Sequence, residues 1–137
     1  MDKPKSGIVV DGFCKGNPGP GGYRGMDIET KAILFQASFK YCTNNIAEFV
    51  AVCHAIGYVL KNRIDTKIYT DSQTAIAWVN KKDPNYNLST SHEHYQETEI
   101  KVRRCKLFLL EKKYLPVIEK WRTDLWGENP ADFGNKK

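Results

Sequence analysis

The sequence predicts an α/β fold on a mixed five-stranded sheet, three antiparallel strands then two parallel ones, with helices on both faces. Three observations predict it. Ile8, Val9 and Val10 form a continuous apolar run, the pattern of a strand covered on both sides. Two more β-rich runs follow, with only turn chemistry between them. Beyond residue 44, helical and β-rich stretches alternate, so the later strands should join the first in parallel through right-handed crossovers.

Taken in order, residues 7–13 read as the first strand. Gly16-Asn17-Pro18-Gly19-Pro20-Gly21-Gly22 is dense turn chemistry, after which 23–28 and 32–39 complete an antiparallel meander. Residues 44–60 carry Ile46, Phe49, Val50, Cys53, Ile56, Val59 and Leu60 at the three-and-four spacing of an amphipathic helix. A short strand over 66–70 precedes a helix over 72–79, and 81–87 with Pro84 form a polar break. A second long helix covers 94–110, with Ile100, Val102, Leu107, Phe108 and Leu110 as candidate core contacts. A last strand over 114–120 leads to a loop or short helix over 123–133.

At 137 residues the chain fits one domain, with residues 1–6 and 135–137 expected as flexible tails. Hydrophobic residues at 41% and charged residues at 27% are the proportions of a soluble globular domain, which argues against global disorder and excludes collagen-like and coiled-coil chains. No apolar run is long enough to span a membrane, and the polar, basic start is not a signal peptide. Cys14, Cys42, Cys53 and Cys105 are irregularly spaced without a CxxC pair, which argues against a zinc site and a disulfide framework. They read as reduced packing residues of a cytoplasmic protein. A net charge of +5 leans toward a polyanionic partner without establishing one.

Four acids stand out, each with an ordinary alternative. Asp11 ends an apolar run where a strand should still be buried; it could instead simply turn into the next loop. Glu48 lies three residues after Asn45, as in a capping box, and Asp71 sits where a helix N-cap belongs. Asp132 could be a surface residue near the end. Together they carry more weight. In the expected sheet the first and fourth strands are neighbours at the point where chain order reverses, and ligands of open α/β sheets sit beyond the strand ends there. Two unit charges roughly 4 Å apart repel by about 4 kcal/mol at an effective dielectric of 20. Convergent carboxylates therefore call for a positive partner, and a hard, oxygen-preferring divalent ion is the economical one.

Asp11-Gly12-Phe13-Cys14-Lys15-Gly16-Asn17-Pro18-Gly19 resembles the opening motif of type 1 ribonuclease H. Thr43-Asn44-Asn45-Ile46-Ala47-Glu48 is similar to its second motif, Thr70-Asp71-Ser72-Gln73 to its third. Trp126-Gly127-Glu128-Asn129-Pro130-Ala131-Asp132 resembles the closing segment of a bacterial branch with glutamate in the loop before the last aspartate. The resemblance implies endonucleolytic cleavage of the RNA strand of RNA–DNA hybrids, largely independent of base sequence. The ends left would be 5′-phosphate and 3′-hydroxyl. It implies that Asp11 bridges two Mg²⁺ ions, that Glu48 and Asp71 hold the ion at the leaving oxygen, and that Asp132 holds the ion carrying the attacking water. Mn²⁺ should substitute. Glu128 is an auxiliary candidate where many relatives carry a histidine. His54 reads rather as a packed core residue.

By the same resemblance Gly16, Asn17, Asn44 and Gln73 would read the RNA 2′-hydroxyl, the group that separates RNA from DNA. Thr43, Asn45 and Thr123 would meet DNA-strand phosphates, and Trp78 would pack on a DNA sugar or else in the core. Lys81, Lys82, Lys101, Arg103, Arg104 and Lys106 are either a solvated face or salt-dependent phosphate contacts. The expected partner is the hybrid, bound by a monomer away from membranes. Two other readings stay open: a hybrid-binding module without catalysis, and a ribonuclease H domain cut from a reverse transcriptase.

Overall fold

A computed structural model describes residues 2–132. Its strands are β1 (Ile8–Cys14), β2 (Gly19–Asp27), β3 (Ile33–Cys42), β4 (Ile68–Thr70) and β5 (Ile118–Lys120). The helices are α1 (Asn44–Asn62), α2 (Gln73–Lys81), α3 (Tyr95–Glu111) and the short α4 (Thr123–Trp126). The sheet runs β3-β2-β1-β4-β5, antiparallel across the first three strands and parallel from β1 through β4 to β5. This is the expected topology, with β1 and β4 adjacent at the reversal of chain order. Among the described residues, no helix is long and apolar enough to cross a membrane.

The apolar triplet of β1 divides between two cores as a pleated strand must. Ile8 and Val10 join the main cluster under α1, α2 and α3, with Phe49, Val52, Ile56 and Ile68. Val9 faces the other way, into a smaller cluster with Tyr69, Trp121, Trp126 and Ala131. The two tryptophans meet edge to face at 5.1 Å. Trp121 is also held by its backbone N–H on the Thr70 carbonyl and by its indole N–H on the Gly127 carbonyl. The chain after β5 thereby covers the second face, with α4 contributing Trp126.

Several boundaries differ from the sequence reading, each for a local reason. β2 starts at Gly19, inside the stretch read as turn. A Cβ on Gly21 would stand 2.2 Å from the Phe13 carbonyl oxygen and 2.8 Å from Cys42 Sγ, so the glycine serves close strand approach. α1 and α2 each run two residues past their predicted ends. They close on Arg63 and Lys82, whose φ angles of 54° and 56° are left-handed positions where glycine is usual. The last strand is paired only over Ile118–Lys120, and residue 133, the end of the predicted 123–133 segment, lies outside the described residues.

The buried stripe of α3 also differs. Ile100, Leu107 and Leu110 are exposed, whereas Thr98, Val102 and Leu109 are buried, with Cys105 half-buried between them. The steps 98, 102, 105 and 109 trace one helical face, and a threonine on it conceals the pattern. Thr98 is accommodated because its hydroxyl donates to the Tyr41 carbonyl. His54 is likewise not a core residue. It is exposed, stacks on Phe35 at 4.1 Å and meets the buried Tyr23 hydroxyl at 2.8 Å.

Because a side chain in the left-handed region costs on the order of 1 kcal/mol, Arg63→Gly is expected to raise unfolding stability by about that amount. Urea denaturation with an unchanged slope checks it.

Candidate active site

The acids are brought together by backbone geometry before any side chain chooses its rotamer. Asp11 lies within β1 and is fully buried, opposite Arg24 in the β1–β2 ladder. Asp71 follows β4 directly and is half-buried. Glu48 lies in the first turns of α1, and its Oε1 accepts the Gly12 N–H at 2.6 Å in a buried contact. Asp11, Glu48 and Asp71 thus offer carboxylate oxygens that all lie within 4.8 Å of one another.

Three of the ordinary alternatives fail on geometry. Thr43, not Asn45, caps α1, its hydroxyl accepting the Ile46 N–H at 3.1 Å; Glu48 instead bonds across to β1. Ser72, not Asp71, caps α2, its hydroxyl accepting the Ala75 N–H at 3.0 Å. With each cap supplied by a hydroxyl, Glu48 and Asp71 are not needed for helix termination. Asp11 does not turn into a loop, because β1 continues to Cys14.

Gly12 makes the junction possible. A Cβ there would stand 2.8 Å from both the Ala47 carbonyl carbon and the Glu48 nitrogen. Only a bare Cα lets α1 approach near enough for the Glu48 carboxylate to reach the β1 backbone.

Asp132 stands outside the three-carboxylate group, but its segment is fastened beside β1. The buried Asn129 amide donates to the Val10 carbonyl at 2.9 Å while its oxygen accepts the Ala131 N–H at 2.7 Å. From β2, Arg24 donates to the Ala131 carbonyl at 2.7 Å and to the Asp132 carbonyl at 2.6 Å. Neither Arg24 nor Asn129 was singled out from the sequence. The available signals were a cation in a glycine-rich strand opposite Asp11 and an amide inside the closing motif.

A polar cleft of about 390 Å³ adjoins the acids, lined among others by Asn44, Asn45, Glu48, Asp71 and Gln73. Exposed Asn17 tethers its loop to α1, its Oδ1 accepting the Asn44 N–H at 2.9 Å. Gly16 is beside it with φ +85°. Thr43 is half-buried, its hydroxyl engaged as the cap. Trp78 is buried edge-on against Phe49 at 5.7 Å and also borders a neighbouring groove with Gln73 and Lys81. Thr123 and Glu128 are exposed, near α4.

Much of the basic charge on α3 is engaged locally. Arg103 pairs with Glu99, Lys106 with Asp83 at 3.0 Å, and the Lys101 ammonium lies 5.0 Å from the Phe39 ring centre. Among the described residues, no histidine lines the acidic cleft.

A mixed sheet with carboxylates gathered at its switch point defines a ribonuclease H-like α/β protein with a potential divalent-metal centre. A family model for RNase H matches residues 4–114, and the chain belongs to the RNase H family. Ribonuclease H of Dechloromonas aromatica is 42% identical over 74 residues, 53% of this chain and 49% of that relative. Ribonuclease H of Klebsiella pneumoniae strain 342 is 40% identical over 67 residues, 48% of this chain and 43% of the relative. The matches thus span about half the length of these curated relatives. Among solved structures, LC11-RNase H1, isolated from compost by a metagenomic approach, aligns with a TM-score of 0.53 at 21% identity. That alignment covers 88% of this chain and 86% of the other. LC11-RNase H1 in complex with an RNA/DNA hybrid aligns at 0.51 and 19% identity, over 88% of each chain. At these identities the structural likeness speaks for the fold.

Gly12→Ala should cost about 1–3 kcal/mol, because the added methyl must push α1 off β1. Urea unfolding measures it, and the Gly21→Ala variant serves as the comparison at a second close approach.

Proposed function

We propose that this chain is an endoribonuclease that hydrolyses the RNA strand of RNA–DNA hybrids, leaving 5′-phosphate and 3′-hydroxyl ends. The observation that carries this reading is the convergence of Asp11, Glu48 and Asp71 within 4.8 Å beside an open polar cleft. Family membership and a fold neighbour solved with an RNA/DNA hybrid support it.

The donor set fits a hard divalent ion: three carboxylates, with no imidazole or thiolate among them. Asp11, Glu48 and Asp71 would hold Mg²⁺, with Asp11 shared toward a second ion that Asp132 helps to hold; Mn²⁺ would substitute. When bound, the ions supply an activated water and neutralise charge on the departing 3′ oxygen. The protein's own contribution is placement. The Gly12 N–H orients the Glu48 carboxylate, the β1 backbone fixes Asp11, and Arg24 with Asn129 fixes the main chain around Asp132. Exposed Glu128 would assist exchange on the Asp132 side.

Substrate choice follows from the cleft. Asn44 and Gln73, together with Gly16 and Asn17 on the adjoining loop, would meet the 2′-hydroxyl, which both donates and accepts. Thr43, Asn45 and Thr123 would face DNA-strand phosphates, and the outer edge of Trp78 a DNA sugar. These contacts address backbone and sugar, so they read strand type rather than base order.

In a cleavage assay with labelled hybrid, double-stranded RNA and double-stranded DNA, only the RNA of the hybrid should be cut, and EDTA should abolish cutting. Asp71→Asn should lower the rate by at least roughly 10²-fold, as expected for losing an ion ligand worth several kcal/mol, while hybrid binding remains measurable. Near-normal turnover by that variant would overturn the assignment.

Arg24→Ala tests placement of the fourth acid. It should raise the Mg²⁺ concentration for half-maximal rate by about tenfold, the scale typical of groups that orient metal ligands. An unchanged Mg²⁺ requirement would show that the Asp132 segment does not depend on Arg24.

A further inference from the structure

A second concavity, sharing no lining residue with the acidic cleft, opens between α1 and α3 and measures about 660 Å³. Val50, Tyr58 and Phe108 contribute apolar walls, Lys61, Lys101 and Arg104 contribute positive charge, and among the described residues no carboxylate lines it. Cys53 and Cys105 both line this cavity, and their side chains hydrogen-bond to each other.

The meeting of the two sulfurs follows from the helix faces. Cys53 lies on the buried stripe of α1 with Phe49, Val50 and Ile56, and Cys105 on the 98-102-105-109 stripe of α3. One turn beyond Cys53, Gly57 has no side chain to fill the seam. A Cβ there would only reach ordinary contact with Phe108 Cζ, at 3.9 Å. The seam stays open beside the pair, with Cys53 buried and Cys105 half-buried.

The thiols differ in character. Burial, reinforced by Cys105, pushes the Cys53 thiol well up, so it stays protonated. The hydrogen bond from Cys53 draws Cys105 below the usual thiol value; burial opposes this and Lys101 assists it. Lys101 lies one turn before Cys105, with its ammonium held over the Phe39 ring. A half-buried thiol drawn toward ionisation by a neighbouring thiol and then by a lysine, on the wall of an open cavity, is the arrangement of a peroxide-sensitive pair.

We propose that Cys53 and Cys105 are a redox-active dithiol, with Cys105 meeting a hydroperoxide from the cavity and Cys53 closing a disulfide between α1 and α3. The Cys105 thiolate attacks the terminal peroxide oxygen, the O–O bond breaks, and an alkoxide or hydroxide leaves, giving Cys105 sulfenic acid. The Cys53 sulfur then displaces the hydroxyl, which departs as water with the Cys53 proton. Two electrons pass from the sulfur pair to the peroxide, and a thiol reductant reverses the bond. The proposal is independent of hybrid cleavage.

The test uses the reduced full chain and a small molar excess of hydrogen peroxide, followed by intact mass and peptide mapping. The expected result is a loss of about 2 Da and a peptide carrying Cys53 linked to Cys105, restored by dithiothreitol. Cys53→Ser should instead accumulate a sulfenic acid at Cys105 that dimedone captures, and Cys105→Ser should leave Cys53 unreacted. Lys101→Ala should slow wild-type disulfide formation several-fold. Retention of all thiols in the wild-type chain, a bond joining another pair, or progression of Cys105 to sulfinic acid with Cys53 present would each overturn the proposal. The wild-type measurement decides without any variant having to fold.

Discussion

The hydrogen bond from the Gly12 backbone to the buried Glu48 carboxylate is the join on which the molecule depends. It ties the longest helix to the central strand and brings one carboxylate toward another that is wholly buried. A charge-assisted bond of this kind is stronger than a neutral one, and partly offsets the repulsion of placing acids together in a low-dielectric seam. Its geometric requirement is a strand position without a side chain. Helix packing, acid placement and the access cleft therefore all pass through one glycine.

Around that join the rest of the chain works as a clamp. Hydroxyl caps at Thr43 and Ser72 terminate α1 and α2 without using either acid. The Trp121–Trp126 cluster seals the reverse face of β1 and sets the exit path of the chain, after which the Asn129 side chain fastens the segment to β1 and Arg24 of β2 holds the Ala131 and Asp132 carbonyls. Parts of the fold remote in sequence meet on three adjacent backbone positions, Val10 to Gly12, by carbonyl, carboxylate and amide in turn.

The topology and the acid motifs were legible in the sequence because they are written in local patterns. The apolar triplet, the alternation of strand and helix, and Asp11, Glu48 and Asp71 in their motifs each occupy a short window. What was not legible depends on distant partners. The glycines before Tyr23 read as turn, since nothing local says that Phe13 and Cys42 crowd Gly21. The buried face of α3 was masked by Thr98, tolerated only because Tyr41 offers a carbonyl. Helix ends at Arg63 and Lys82 lack the usual glycine, so the stop signals were missing. Arg24 and Asn129 escaped notice because their partners lie 107 or more residues away in the chain.

That separation gives the centre an order of assembly. Asp11, Glu48 and Asp71 all lie within the first 71 residues, and the strands and helix that carry them pair among themselves. The Asn129–Val10 link closes a loop spanning 119 positions, an entropic toll of about 4 kcal/mol for a flexible chain of that length before any constant term. During synthesis on a ribosome, the three-acid nest can therefore form before residues 129–132, which fasten beside it on β1 and β2, have emerged. Within each new polypeptide the group of three carboxylates thus precedes the link that closes beside it.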